Sequence, residues 1–196
     1  GQLGLGNNAP VGAQFAERGA GLPYVSFGST SDDAIVDAAT GLAFTVVLQR
    51  NGVVRAFGDN TYGQLGLGTT VANMGTLSSQ KGSALPRVEL GTGMGAVAIG
   101  AGKDFTCVVR NDTARSVVCF GNNANAQLAM PLSSLTWGRA AAEMGDGLPL
   151  VPLGSGVVAR SLALGTSHAC ALLESESRPG VTQLKCWGSN VGGEVG

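Results

Sequence analysis

The side chains best suited to do chemistry in this chain are four cysteines and a single histidine. Cys107 and Cys119 are 12 residues apart and Cys170 and Cys186 are 16 apart, whereas a four-cysteine zinc site is built from pairs separated by roughly two to four residues. His168 stands alone, so Ser-His-Asp, Cys-His and multi-histidine metal arrangements all lack parts. Gly91-Thr92-Gly93-Met94-Gly95 is rich in glycine, but it precedes a strand pattern rather than the helix that a phosphate loop opens. Asp59-Asn60-Thr61-Tyr62-Gly63 places oxygen ligands at a turn, yet related segments at 122–125 and 189–192 retain only the asparagine, which suits capping of turn backbone. No catalytic residue, cofactor or metal site is expected.

What remains for the cysteines depends on the elements that carry them. Phe105 to Val109 and Val117 to Gly121 are apolar runs around a polar tip, and so are His168 to Leu172 and Leu184 to Gly188, so each pair reads as a β-hairpin. A third hairpin, Phe44 to Leu48 with Val53 to Gly58, has Asn51-Gly52 at its tip, a dipeptide suited to a type I′ turn. Short apolar stretches ending at Gly41, Gly102 and Gly165 precede the three hairpins.

These hairpins belong to a repeat. Gly1-Gln2-Leu3-Gly4-Leu5-Gly6 recurs identically at 63–68, with weaker copies at 126–129 and 193–196. Leu22-Pro23-Tyr24-Val25-Ser26-Phe27-Gly28 aligns with Leu85 to Gly91 and Leu148 to Gly154, at spacings of 63 and 63. Three or four short strands per repeat with almost no helix point to an all-β fold, a β-propeller segment of mainly antiparallel blades. The repeats divide the chain into blade one at 1–62, blade two at 63–125 and blade three at 126–192, with 193–196 opening the next. Segments 7–18, 69–81 and 130–144 lack a strand pattern and are expected as loops, with one helical turn over Ala140 to Met144.

Composition excludes further classes. The 12 basic and 13 acidic residues give a net charge of -1, too little positive field for nucleic acid. With 44% hydrophobic residues the chain folds rather than staying disordered, and its 32 glycines keep no Gly-X-Y period. No uninterrupted apolar run is long enough to span a membrane. The first residue is Gly1, so any signal peptide is expected to be removed or to lie outside this piece.

Taken together, the Pro-x-Val-x-Leu-Gly strand, the Gly-x-x-His/Phe-Thr/Ala-Cys strand, the Cys-Trp/Phe-Gly-x-Asn strand end and the Gly-Gln-Leu-Gly-Leu-Gly turn resemble the regulator of chromosome condensation repeat. The resemblance covers the whole chain, with departures at Ala126, Ala129, Glu194 and Val195. It implies a seven-bladed ring, of which three blades form an incomplete part; the others would come from a longer chain or another chain. It also implies that His168, aligned with Phe44 and Phe105, is a packing residue.

In repeat register the cysteines fill two columns, Cys107 and Cys170 in one, Cys119 and Cys186 in the other. The first repeat has Val46 and Ala56 there, so both cysteines are missing together, as cross-strand pairing would require. Directly opposed residues of a non-hydrogen-bonded pair lie about 4.5 Å apart at Cα, within disulfide range. Two disulfides, Cys107 with Cys119 and Cys170 with Cys186, imply an extracellular or lumenal protein; four reduced core cysteines would instead fit a cytoplasmic or nuclear one. Asn111-Asp112-Thr113 is a glycosylation sequon on a hairpin tip, or a plain turn.

The expected function is a non-enzymatic interaction or structural module with protein partners, with Tyr62 and Trp137 as candidate contact aromatics in the turns and loops. Two alternatives stand beside it: a guanine-nucleotide exchange factor for a Ran-like GTPase, which the resemblance brings, and a subunit of an extracellular filament.

Overall fold

A computed structural model describes residues 1–196. The first sheet joins β1 (Ile35–Thr40), β2 (Phe44–Gln49), β3 (Val54–Asp59) and β4 (Asn73–Met74) in that order. The second joins β5 (Ala96–Ala101), β6 (Phe105–Arg110), β7 (Val117–Asn122) and β8 (Thr136–Trp137), and the third joins β9 (Val157–Leu164), β10 (His168–Ser175) and β11 (Thr182–Gly188). Every pairing is antiparallel. The inner strands gather together, with β5 touching both β1 and β9, so the sheets stack as blades around one side of an axis.

Alternation along the strands sends successive side chains to opposite faces, and each middle sheet face finds a partner. Phe44, Val46 and Leu48 point from β2 into a core shared with Ile99 and Val108 of the second sheet. Phe105, Cys107 and Val109 point the other way from β6, to meet Ala169, Ala171 and Leu173 of the third. Burying a Phe or Val of this kind contributes about 1.5–3 kcal/mol, so the two inter-sheet cores are the main source of cohesion. A bulge breaks the register at the start of both β1 and β5, between Ile35 and Asp37 and between Ala96 and Ala98, which increases local twist at equivalent points.

Several expectations change in detail. The Asn51-Gly52 turn is not type I′: Gly52 has a positive φ of 82° but Asn51 does not. Instead Gly52 N–H donates to the Gln49 carbonyl and Gln49 N–H to the Val53 carbonyl, giving a three-residue loop in which glycine occupies the left-handed bulge position. The loops 69–81 and 130–144 contain β4 and β8, and 3₁₀ turns stand at Phe15–Glu17 and Ala141–Glu143. Sheet and sequence repeat are also out of phase, because β4 and β8 each lie beyond the turn motif that opens the following repeat. Each of the first two sheets is therefore closed by two residues of the repeat that follows, and the chain contributes no such strand to the third.

Candidate functional site

Register brings the cysteines together. Cys107 pairs with Cys119 and Cys170 with Cys186 across their hairpins, as Val46 pairs with Ala56 in the first sheet. Both cysteine pairs are bonded, with Cα separations of 4.1 and 4.0 Å, somewhat closer than the spacing expected from strand geometry. No cysteine is free. Their surroundings differ: the first bridge is buried between the second and third sheets, while the second lies half-buried on the outer face of the third.

The histidine column is a packing column. Phe44, Phe105 and His168 each lie over the glycine three residues earlier, and a Cβ on Gly165 would come within 2.3 Å of His168 Cε1. Only a bare backbone admits a ring there, which explains why Gly41, Gly102 and Gly165 keep their places.

The turn motif works through its asparagine and glutamine. Asn60 Oδ1 accepts Leu65 N–H at 3.1 Å, and its Nδ2 donates to the Thr69 and Val71 carbonyls. Asn123 repeats this with Leu128 N–H and with the Met130, Pro131 and Ser134 carbonyls. Gln64 Oε1 and Gln127 Oε1 accept Tyr62 N–H and Asn125 N–H. Each turn thus satisfies its own buried polar groups, with Leu65 and Leu128 fully buried at its centre.

The aromatic candidates separate. Tyr62 sits in such a turn with its side chain partly exposed, whereas Trp137 belongs to β8 rather than to a loop. Its indole N–H donates to the Glu143 carbonyl at 2.7 Å and its ring packs on the inter-sheet cores, so it is committed to holding the sheet together. Asn111 is exposed at the tip of the second hairpin, its Oδ1 accepting Gly95 N–H at 3.0 Å while Asp112 ties the turn to Ser116.

Between repeats lies a recurrent groove. One copy, about 430 Å³, is lined by Leu67, Arg87, Glu89, Met144 and Asp146; the preceding copy, about 860 Å³, has Leu5, Tyr24, Ser26, Lys81 and Ser83 in the corresponding places. In the smaller groove Asp146 accepts Thr92 Oγ1–H at 2.6 Å and Thr92 N–H at 2.8 Å. These hydrogen bonds, the side-chain one first, hold the Asp146 carboxyl below its ordinary 3.8. Burial works the other way at Asp104, pushing its carboxyl up.

Sequence reading missed the carbonyl contacts that fix each turn to its sheet. Thr45 Oγ1 donates to the Gln2 carbonyl at 2.9 Å and Thr106 Oγ1 to the Gln64 carbonyl at 2.7 Å. The signal was a threonine shared by two repeats in one column. It also missed Arg55, buried with its Nε on Gln49 and its Nη1 on the Leu85 carbonyl; burial lowers its pKa.

Comparison with known proteins agrees with this geometry. The Regulator of chromosome condensation (RCC1) repeat matches residues 51–109, and a second form of the same repeat matches residues 35–64. The crystal structure of Prp20p from Saccharomyces cerevisiae, described with its binding properties to Gsp1p and histones, is similar with a TM-score of 0.61 and 21% identity, covering 90% of this chain and 35% of that one. Yeast RCC1 (Prp20) bound to Kap60 gives 0.61 and 20%, covering 86% and 32%, and human WBSCR16 gives 0.57 and 20%, covering 79% and 33%. The chain therefore spans about a third of the length of these structures, and the likeness is one of fold.

Proposed function

From the premise that this chain is a segment of an RCC1-repeat β-propeller, we propose that it serves as a non-enzymatic interaction or structural module of a larger exported protein. The observation that carries the reading is the placement of cross-strand disulfides in one register column of two successive sheets. Such bonds persist in oxidising compartments and stiffen hairpins that would otherwise rely on packing alone. Asn111, exposed beside a Thr113 that completes its sequon, is the glycan acceptor of that compartment. Blades 1–62, 63–125 and 126–192 are continued by further blades, and protein partners contact the grooves and turns where the repeats differ, Tyr62 among them.

Recovery of the protein from its native source tests this. A secreted or lumenal chain carrying a glycan on Asn111 supports the reading; a cytosolic chain with four free thiols overturns it. Guanine-nucleotide exchange on a Ran-like GTPase is the second reading, favoured by the fold shared with Prp20p. Accelerated nucleotide release from such a GTPase would establish it and displace the first.

A further inference from the structure

The smaller groove runs between the extended segment from Arg87 to Gly93 and the turns at 66–68 and 144–146. Both walls are internal to the chain: the first is joined to the first sheet through Val88 and Val54, the second to the second sheet through Thr106 and Gln64. Each wall carries backbone groups that nothing satisfies. Val88 N–H donates inward to the Val54 carbonyl at 2.9 Å, so strand alternation turns the N–H and C=O of Arg87 outward, where neither has a partner. Across the groove Leu67 N–H and C=O are unpaired as well.

Side chains alternate along the first wall. Val88 and Leu90 are buried in the core that includes Met144, with Leu67 packed against it, whereas Arg87 and Glu89 are exposed on the other face. Neither makes an ion pair, the two in the chain being Lys103 with Asp104 and Arg160 with Glu174. Arg87 is opposed to the buried Arg55 across its bridge, and like charges so placed repel. Asp33 lies in the field of both, but its carboxylate is bonded to Thr30. Asp146 is likewise taken by Thr92, and Arg110 Nη2 holds the Gly145 carbonyl at 3.2 Å, so the walls are fixed before anything binds. In the other repeats the counterparts of Arg87 and Glu89 are Tyr24 with Ser26 and Leu150 with Pro152, and Pro152 has no N–H to offer.

We infer that this groove binds an extended peptide of a partner protein by strand addition, with the pattern basic, apolar, acidic from its N- to its C-terminus. Every sheet pairing in the chain is antiparallel, and an antiparallel peptide that exchanges two hydrogen bonds with Arg87 sets its acidic residue opposite Arg87 and its basic residue opposite Glu89. The apolar residue between them turns to the face of Val88, where Leu67 and Met144 line the groove. Gly145 N–H already occupies the Glu89 carbonyl at 2.9 Å, so the ladder is short and the order of charges decides selectivity. The inference rests on the module reading and names the chemistry of one partner, but the two fail separately: four free thiols remove the exported module, whereas loss of peptide binding removes this inference alone.

Amide NMR titration of the oxidised 196-residue chain with acetyl-Thr-Lys-Val-Asp-Thr-amide tests it. The expected result is saturable binding with shifts centred on Leu67, Arg87 and Gly93. The reversed peptide, acetyl-Thr-Asp-Val-Lys-Thr-amide, should bind about tenfold more weakly, because two opposite-charge pairs become two like-charge pairs. Arg87→Glu combined with Glu89→Arg should invert that preference, and both side chains are exposed, so the fold is retained. No saturable binding of the first peptide, equal affinity for the two orders, shifts centred elsewhere, or a swapped variant that keeps the original preference overturns the inference.

Discussion

Trp187 donates its indole N–H to the Gln127 carbonyl at 3.0 Å, replacing a contact that the first two sheets make with a threonine. In the third sheet Ala169 stands where Thr45 and Thr106 stand, and Trp187 stands where Phe57 and Phe120 stand. The carbonyl keeps a donor although two columns have changed. Trp187→Phe should therefore lower unfolding free energy by about 1–3 kcal/mol, the cost of leaving a buried acceptor unpaired together with some lost packing. Adding Ala169→Thr should recover about 1 kcal/mol by recreating the arrangement of the second sheet. Denaturant unfolding of both variants checks this, and equal stability of single and double variants would contradict it.

Ala126 and Ala129 adopt φ of 58° and 55° where the preceding turn has Gly63 and Gly66. A left-handed alanine costs about 1–2 kcal/mol relative to its preferred conformations. Ala126→Gly should stabilise the chain by about 1 kcal/mol, measured as a raised denaturation midpoint without a changed slope. Ala129→Gly should gain less, since the Ala129 methyl packs on the core of the third sheet.

The two disulfides should differ in reactivity because one is sealed and the other half-buried on an open face. Thiol–disulfide exchange needs access to a sulfur, so mild reductant should open Cys170–Cys186 first. Alkylation followed by peptide mass analysis at successive times reads the order; simultaneous loss, or prior loss of Cys107–Cys119, would count against the packing described.

A depressed carboxyl contributes stability that is present above its unfolded pKa and lost as pH falls through the folded value. Asp146, held below 3.8 mainly by Thr92, thus supports the fold at neutral pH and withdraws that support on acidification. Thr92→Val should return the Asp146 titration toward 3.8 and flatten this part of the acid limb, as followed by carbon-detected NMR. Asp104, raised by burial, has the opposite sign: its contribution is present at low pH and disappears as pH rises through the raised value. An Asp146 titration that ignores the substitution would show that Thr92 is not the cause.

The hairpins and the cysteine columns were legible because a repeated strand shows both its alternation and its exceptions: Val46 and Ala56 replace both cysteines together in the first repeat, and the two columns do face each other across the hairpin. The strands β4 and β8 were not legible, since two residues carry no periodicity and pair only because Gly58 and Gly121 present a free edge to Met74 and Trp137. Trp137 looked like a loop aromatic for the same reason. The type I′ reading of Asn51-Gly52 failed because the dipeptide fits two hairpin geometries, and only the Gln49 to Val53 hydrogen bonds distinguish them. Contacts such as Trp187 with Gln127 join residues 60 positions apart and follow from the stacking of blades, which no local window contains.

Mass measurement before and after reduction tests the central claim, that two cross-strand bridges brace successive blades. The intact chain should gain the mass of four hydrogens on reduction, and peptide mapping of the unreduced chain should recover Cys107 linked to Cys119 and Cys170 linked to Cys186. An unchanged mass, or any other linkage, would contradict the account.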